Sequence, residues 1–207
     1  MWSDKCSTEQ GKGQCGAWVF RTPVQKWSKD HIQIYHKGKD ISVMVWACFW
    51  GKPGGGIGRS DLYIMDRDFE SKKHGYSAQS YLEVLDDQLN KCWEPGLESM
   101  HNNASIHTAK VVKEYFRNLA IPVVEWPPYS PDMNPIEHVW THLKKMVLDT
   151  HPELIHMGDS EEAIEALESA LIEAWQALPD TLFESLIESM PRRVAALIAA
   201  EGWHTKY

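Results

Sequence analysis

No stretch of this sequence approaches the roughly 18 consecutive apolar residues that a membrane-spanning helix requires. The opening Met1-Trp2-Ser3-Asp4-Lys5 is neither a basic leader nor an apolar signal segment, so a soluble intracellular chain is expected, with no membrane partner. Cysteine is scarce and dispersed: Cys6, Cys15, Cys48 and Cys92 contain no Cys-x-x-Cys pair, which argues against a disulfide framework or a zinc site and for reduced structural thiols. The glycine-rich Gly51-Lys52-Pro53-Gly54-Gly55-Gly56 is followed by no Lys-Ser/Thr, which excludes a phosphate-binding loop. Internal repeats and low-complexity tracts are also missing. Positive charge is absent from residues 151–190, which hold ten Asp/Glu and no Lys or Arg; the net charge of −8 therefore belongs to this segment, and the rest of the chain sums to +2. Residues 1–59 carry nine Lys/Arg against four Asp/Glu. A basic first quarter is compatible with contact to phosphates, and equally with an ordinary solvated face.

What is present reads as α/β over the first two thirds. Trp18-Val19-Phe20 and the run Ser42 to Trp50 are too rich in β-branched and aromatic residues for surface helices, and predict strands inside one sheet. Leu62 to Met65 suggests another strand. Ser77 to Leu89 has helical spacing through Tyr81, Leu85 and Leu89, with Ser77 placed to cap it. A short strand over Leu97 to Asn103, a helix over Thr108 to Leu119 and a strand at Ile121 to Val124 follow, an alternation that implies a partly parallel sheet covered by helices. Trp126-Pro127-Pro128-Tyr129-Ser130-Pro131 suits neither helix nor interior strand and is expected to form a rigid connector, with Trp126 packed beneath it. From Asn134 the chain is helical: Ile164, Leu167, Leu171, Trp175 and Leu178 share one face, and Val194, Leu197 and Ile198 belong to a last segment after Pro191. The expected organisation is one domain over residues 1–150 with an acidic helical C-terminal extension over 151–207.

Three segments hold polar or acidic residues where strand ends and a helix start converge: Trp2-Ser3-Asp4, His101-Asn102-Asn103-Ala104-Ser105-Ile106-His107, and Trp126 through Glu137. Singly each has a plain structural reading. Asp4 suits a solvated terminus and Asn102 and Asn103 a turn, while Glu137 stands three residues after Asn134, the spacing of a capping box. His138 and His142, four apart on a helix, lack the Glu that a zinc peptidase places after its first His, so a metal pair is disfavoured. Lys144, Lys145, Arg192 and Arg193 suit DNA contact less well than simple exposure on helix surfaces.

Together these segments resemble the mariner-like DNA transposases, whose motifs run Ser-Asp-Glu-Cys-Ser, then Asp-Asn-Ala-Pro-x-His-x-Ala, then Trp-Pro-Pro-Tyr-Ser-Pro-Asp-Leu-Asn-Pro-Ile-Glu. The 34 residues between Asn102 and Glu137 match one large branch of that family, and similarity extends through Val45-Trp46-Ala47, Tyr81 to Leu85 and Ser189 to Val194. The resemblance implies a ribonuclease-H-like mixed sheet flanked by helices, the DDE endonuclease reaction of DNA cleavage and strand transfer, and a nuclear location. It also implies two Mg²⁺ or Mn²⁺ ions held by Asp4, the residue at 102 and Glu137, transposon-end DNA as partner, and a possible homodimer.

Two departures qualify the match. Asn102 stands where the family has its second catalytic Asp, and Lys5 where it has Glu. The family's N-terminal helix-turn-helix region and the front half of its first strand have no counterpart in the sequence, so weak and non-specific DNA binding is expected. In-line attack on a phosphodiester uses two cations, one for the attacking oxygen and one for the leaving oxygen, and hard Mg²⁺ demands anionic oxygen ligands. An amide deletes a charge and presents donors where an acceptor is needed. An impaired or inactive enzyme is therefore expected, the rivals being a non-catalytic DNA-binding or protein-interaction module and a decayed remnant.

Overall fold

The computed structural model describes residues 1–9, 41–71, 74–127, 130–203 and 205. The strand expected at Trp18 to Phe20, Cys15 and most of the basic first quarter lie outside the described residues. The apolar run 42–50 forms β2 (Ser42–Gly51), which pairs antiparallel with β1 (Trp2–Glu9) from Trp2 opposite Phe49 to Glu9 opposite Ser42. On its other edge β2 receives β3 (Ile57–Arg59) and β4 (Tyr63–Ile64), also antiparallel. The free edge of β1 is joined in parallel by Met100, and Ser99 is joined in parallel by Val123. The order from one side to the other is thus β3 and β4, β2, β1, Met100, Val123, a mixed sheet with the partly parallel character that the alternation implied. The two late strands are single bridges rather than the longer segments expected, held by Ser3 N–H to the Met100 carbonyl at 3.0 Å and Ser99 N–H to the Pro122 carbonyl at 2.8 Å. β3, which the sequence did not suggest, has glycine at its centre for a steric reason: a Cβ on Gly58 would lie 2.3 Å from the Trp50 ring.

Alternation along β2 feeds two cores, because successive side chains point to opposite faces. Val43, Val45, Ala47 and Phe49 pack against α4 (Ile136–Thr150), α5 (Glu161–Ala177) and α6 (Asp180–Ala199) through Ile136, Leu143, Leu171 and Phe183. Trp46, Cys48 and Trp50 pack on the other face against α1 (Ala78–Val84), the π-helical turn Leu85–Leu89 that continues it into α2 (Asn90–Cys92), and α3 (Lys110–Asn118). Helices on both faces of the sheet explain why β2 reads as a continuous apolar run. Since α5 and α6 bury side chains in the same cluster as β2 and α4, they share its core. Among the described residues no helix is long and apolar enough to cross a membrane. Cys6, Cys48 and Cys92 are buried free thiols.

Three details differ from the expected pattern. Ile164 is 37% exposed, the buried face of α5 passing instead through Ala163, Leu167, Ala170, Leu171, Ala174 and Trp175. α6 does not begin after Pro191 but runs through it, and Arg193, two residues on, is buried and bonded to the connector, which fixes the path of the helix beyond the proline. Val194 and Ile198 are consequently exposed. Ser77 does cap α1: its hydroxyl accepts from Gln79 N–H at 3.0 Å and Ser80 N–H at 3.3 Å, while the Ser80 hydroxyl accepts from Ser77 N–H at 2.8 Å. Ser77→Ala is expected to cost about 1 kcal/mol, read as a lower urea midpoint at unchanged slope; an unchanged midpoint would mean that the cap contributes nothing.

Candidate functional site

Strand geometry brings the three segments together. Asp4 lies opposite Ala47 and so shares the face that packs on α4, where it is 1% exposed. The parallel pairing of Met100 beside β1 sets Asn102 against it, and the Asn102 side-chain amide donates to Asp4 Oδ2 at 2.7 Å. Lys5 N–H donates to Asp4 Oδ1 at 2.7 Å, and Asn134 Nδ2 reaches Oδ2 at 3.4 Å. From the first turn of α4 Glu137 completes the cluster with a hydrogen bond between its carboxyl and that of Asp4. The capping-box reading of Glu137 is corrected here: Asn134 N–H is taken by the Pro131 carbonyl, Ile136 N–H makes a 3.4 Å contact to Asn134 Oδ1, and Glu137 turns to Asp4 instead.

The electrostatics follow from burial of two like-charged groups. Burial and then the charge of Asp4 push the Glu137 pKa up to about 7, and burial raises that of Asp4 as well. Near neutrality the two carboxyls therefore hold a proton as a pair. Lys5 opposes this through its charge, although alternation directs its side chain to the opposite face, opposite Trp46 and within reach of His107.

Residue 102 is held more firmly than a turn former needs to be. Its Oδ1 accepts from Ala104 N–H at 3.0 Å, and its backbone carbonyl accepts from His107 Nδ1 at 3.0 Å and His101 Nδ1 at 3.1 Å. His107 is fully buried, stacks on Tyr81 with ring centroids 4.4 Å apart, and has its pKa lowered to about 3, chiefly by burial, so the ring is neutral. It serves as a hydrogen-bonding prop for the backbone at 102; its place in the second motif was the available signal, without the role. Asn103, turned outward, ties the segment to the connector by donating to the Trp126 carbonyl at 2.7 Å.

The connector is fixed from the far side by a residue first assigned to the surface. Arg193, 2% exposed, donates to the Asp132 carbonyl at 2.6 Å and to Ser189 Oγ at 2.8 Å, while Thr205 Oγ1 donates to Asp132 Oδ2 at 2.8 Å. Between connector and strand end opens a cleft of about 350 Å³, lined by Asn102, Asn103, Ala104, Trp126, Pro127, Ser130, Pro131, Asn134 and Glu137. Trp126 is thus a wall of the cleft rather than its buried foundation. Among the described residues no three His, Cys, Asp or Glu side chains stand together so as to hold a metal ion, His138 and His142 included. At the clustered segments the reason is explicit: two carboxyls are present and the third position is an amide.

Residues 66–156 match the DDE superfamily endonuclease family. The chain is 32% identical over 174 residues to the Tcb2 transposase of Caenorhabditis briggsae, covering 80% of this chain and 55% of that protein. It is 28% identical over 211 aligned positions to the Tc1 transposase of Caenorhabditis elegans, covering 100% of this chain and 70% of that one. Its fold is similar to the Mos1 transposase in a paired-end complex with the left transposon end, with a TM-score of 0.64 at 18% identity over 99% of this chain and 55% of the other. The crystal structure of the catalytic domain of the Mos1 mariner transposase matches with a TM-score of 0.52 at 19% identity, over 84% of this chain and 80% of that domain. The chain is accordingly similar to the Tc1/mariner transposases, with residues 66–156 matching the DDE superfamily endonuclease family and a ribonuclease-H-like fold like that of the mariner catalytic domain.

Proposed function

We propose that this chain is the catalytic domain of a mariner-like transposase, built for metal-dependent DNA strand cleavage and strand transfer, and impaired in this copy at residue 102. Its partner is DNA, bound weakly and without sequence preference, and its place of action is the nucleus. Solved Mos1 relatives are described in complex with a transposon end and with Mg or Mn. The residues present here do not fit a two-cation site. Asp4 and Glu137 share a proton, and Asn102 offers Asp4 a donor while its own oxygen is occupied by Ala104 N–H. No hydrolytic step is therefore assigned to the site as it stands.

The observation that carries this reading is the 2.7 Å bond from the Asn102 amide to Asp4. An aspartate in the same position would keep the bond from Ala104 and place its second oxygen against Asp4, an arrangement whose repulsion a bound cation or a further proton must relieve. Asn102→Asp is expected to raise Mn²⁺ or Mg²⁺ affinity about tenfold or more, since it restores the charge that offsets the ion. Isothermal titration of the parent, Asn102→Asp, Asn103→Asp and the double variant Asn102→Asp with Glu137→Gln separates the roles. Asn103→Asp should gain little, and Glu137→Gln should abolish the gain. If Asn102→Asp binds no better than the parent, the three-residue metal site is wrong although the fold stands.

The second reading, a non-catalytic DNA-binding module, is favoured by the same amide, which lets the cluster satisfy itself without metal. It predicts DNA binding that is unchanged by chelator.

A further inference from the structure

Two nucleophilic side chains in the second core take no part in the chemistry proposed above. Cys48, in the second half of β2, and Cys92, the last residue of α2, are 44 positions apart in the chain, yet their sulfur atoms lie 3.5 Å from each other. Trp46, Trp50, Leu85 and Leu89 belong to the same apolar cluster. Cys48 is fixed in the sheet: its N–H donates to Ser60 Oγ at 3.0 Å and its carbonyl accepts from Ser60 N–H at 2.9 Å. Cys92 sits where its helix ends, Trp93 having extended backbone at ψ 132°, so adjustment of the chain is least costly there. The two thiols are also unequal. Burial pushes the Cys48 thiol well above the usual range, whereas the hydrogen bond it accepts from Cys48 lowers that of Cys92. Cys92 is the less enclosed as well, 8% exposed against 0%. One sulfur is thus suited to attack a small oxidant and the other to attack the product.

We propose that Cys48 and Cys92 form an oxidation site for hydrogen peroxide, in which the fold converts one oxidised thiol into an internal disulfide between the sheet and the helical layer. Cys92 gives up its proton and its sulfur attacks the peroxide: an S–O bond forms, the O–O bond breaks, and the departing hydroxide takes a proton and leaves as water. The Cys48 sulfur then attacks Cys92 Sγ. The S–S bond forms as the S–O bond breaks, and the second hydroxide leaves as water with the Cys48 proton. The two sulfurs are oxidised by two electrons in all, and the two peroxide oxygens are reduced. A disulfide needs its sulfurs at about 2.05 Å, so the pair must close by roughly 1.5 Å, a movement taken up at the end of α2. Formation of the link stops Cys92 short of irreversible oxidation. Ala47, the neighbour of Cys48 that lies opposite Asp4, faces α4, so the link forms on the other side of the sheet and leaves the carboxyl pair untouched.

The test treats the reduced, folded chain with a small excess of hydrogen peroxide, blocks the remaining thiols with an alkylating reagent and maps the peptides by mass spectrometry without reduction. The expected product is a peptide pair joined through Cys48 and Cys92 that has lost two hydrogen atoms, with Cys6 and Cys15 outside the link. The urea midpoint should rise by roughly 1 M over that of the reduced chain and return on addition of dithiothreitol, because the link closes a long loop in the unfolded state. Cys48→Ala should stop the reaction at a sulfenic acid on Cys92, captured by dimedone, and Cys92→Ala should leave Cys48 unlabelled; neither should show the rise in midpoint. Recovery of Cys48 and Cys92 alkylated from the treated parent overturns the proposal, as does a link that forms only in urea or that joins Cys6 or Cys15 instead. Dimedone on Cys48 in Cys92→Ala overturns the assignment of Cys92 as the attacking thiol. Should either variant prove unfolded by circular dichroism, Cys48→Ser and Cys92→Ser carry that assignment, while the peptide map of the parent decides the link itself.

Discussion

Arg193→Ala is expected to destabilise the fold by about 3 kcal/mol, a large loss for one side chain far from the carboxyl pair. The guanidinium is buried and donates to the Asp132 carbonyl at 2.6 Å and to Ser189 Oγ at 2.8 Å. Hydrogen bonds from a charged donor contribute roughly 1.5–3 kcal/mol each, and truncation leaves the Asp132 carbonyl short of a partner beside a new cavity. Relief of the buried charge offsets part of that cost, which is why the total is smaller than the separate losses would give. Urea unfolding measures the change; a loss under about 1 kcal/mol would show the contact to be incidental. Because Thr205 converges on the same Asp132, Arg193→Ala and Thr205→Ala should be non-additive in a double-mutant cycle, whereas independent sites would add. Arg193→Lys should recover only part of the loss, since an ammonium cannot reproduce the planar fork.

Glu137→Gln is expected to stabilise the chain by about 2 kcal/mol at pH 8 and to leave it nearly unchanged at pH 4. The folded-state pKa of Glu137 is raised from an ordinary 4.5 to about 7, so the folded chain retains a proton that the unfolded chain releases. Between those values the native state binds more protons. The contribution is therefore fully present below pH 4.5 and is lost as pH rises through 7. The gap amounts to roughly 3 kcal/mol at full strength, and partial exposure of the Glu137 carboxyl to solvent screens it to about 2. Gln is neutral throughout and can still donate to Asp4, so the difference between variant and parent should grow with pH. Unfolding of both proteins at pH 4, 6 and 8 gives the three points. A difference that is flat with pH, or that favours the parent at pH 8, would show that the two carboxyls do not share a proton.

How far the site was legible depended on whether its signal was local. The run at Ser42 to Trp50 and the spacing of Tyr81, Leu85 and Leu89 announced β2 and α1 because burial on both faces of a strand, or on one stripe of a helix, leaves a period in the sequence. Three-residue β3 and the single bridges at Met100 and Val123 leave no such period. Pro191 suggests a boundary because its cost is local, whereas the buried Arg193 that fixes the helix beyond it acts through Asp132, 61 positions away. Glu137 illustrates the limit most clearly. Its spacing from Asn134 suits a cap and a buried acid equally, and only the position of Asp4 on a distant strand decides between them. The three segments were legible as one cluster through their joint resemblance to the transposase motifs, each having by itself a plain structural reading.

The placement of β1 has a consequence for how the molecule comes into being. Asp4 is bonded to Asn102 across 98 positions and to Asn134 across 130, and β1 is flanked on one side by β2 and on the other by Met100. At a synthesis rate of roughly 5–20 residues/s, the strand bearing Asp4 waits on the order of ten seconds at the ribosome before its parallel neighbour exists, and longer before α4 emerges. For that interval one edge of β1 is an open template for other strands, and the acid destined for burial stays hydrated. The cluster can close only once α4 has emerged, while α5 and α6 have still to complete the core, so slowed elongation between residues 50 and 134 should prolong the aggregation-prone stage without altering the finished fold.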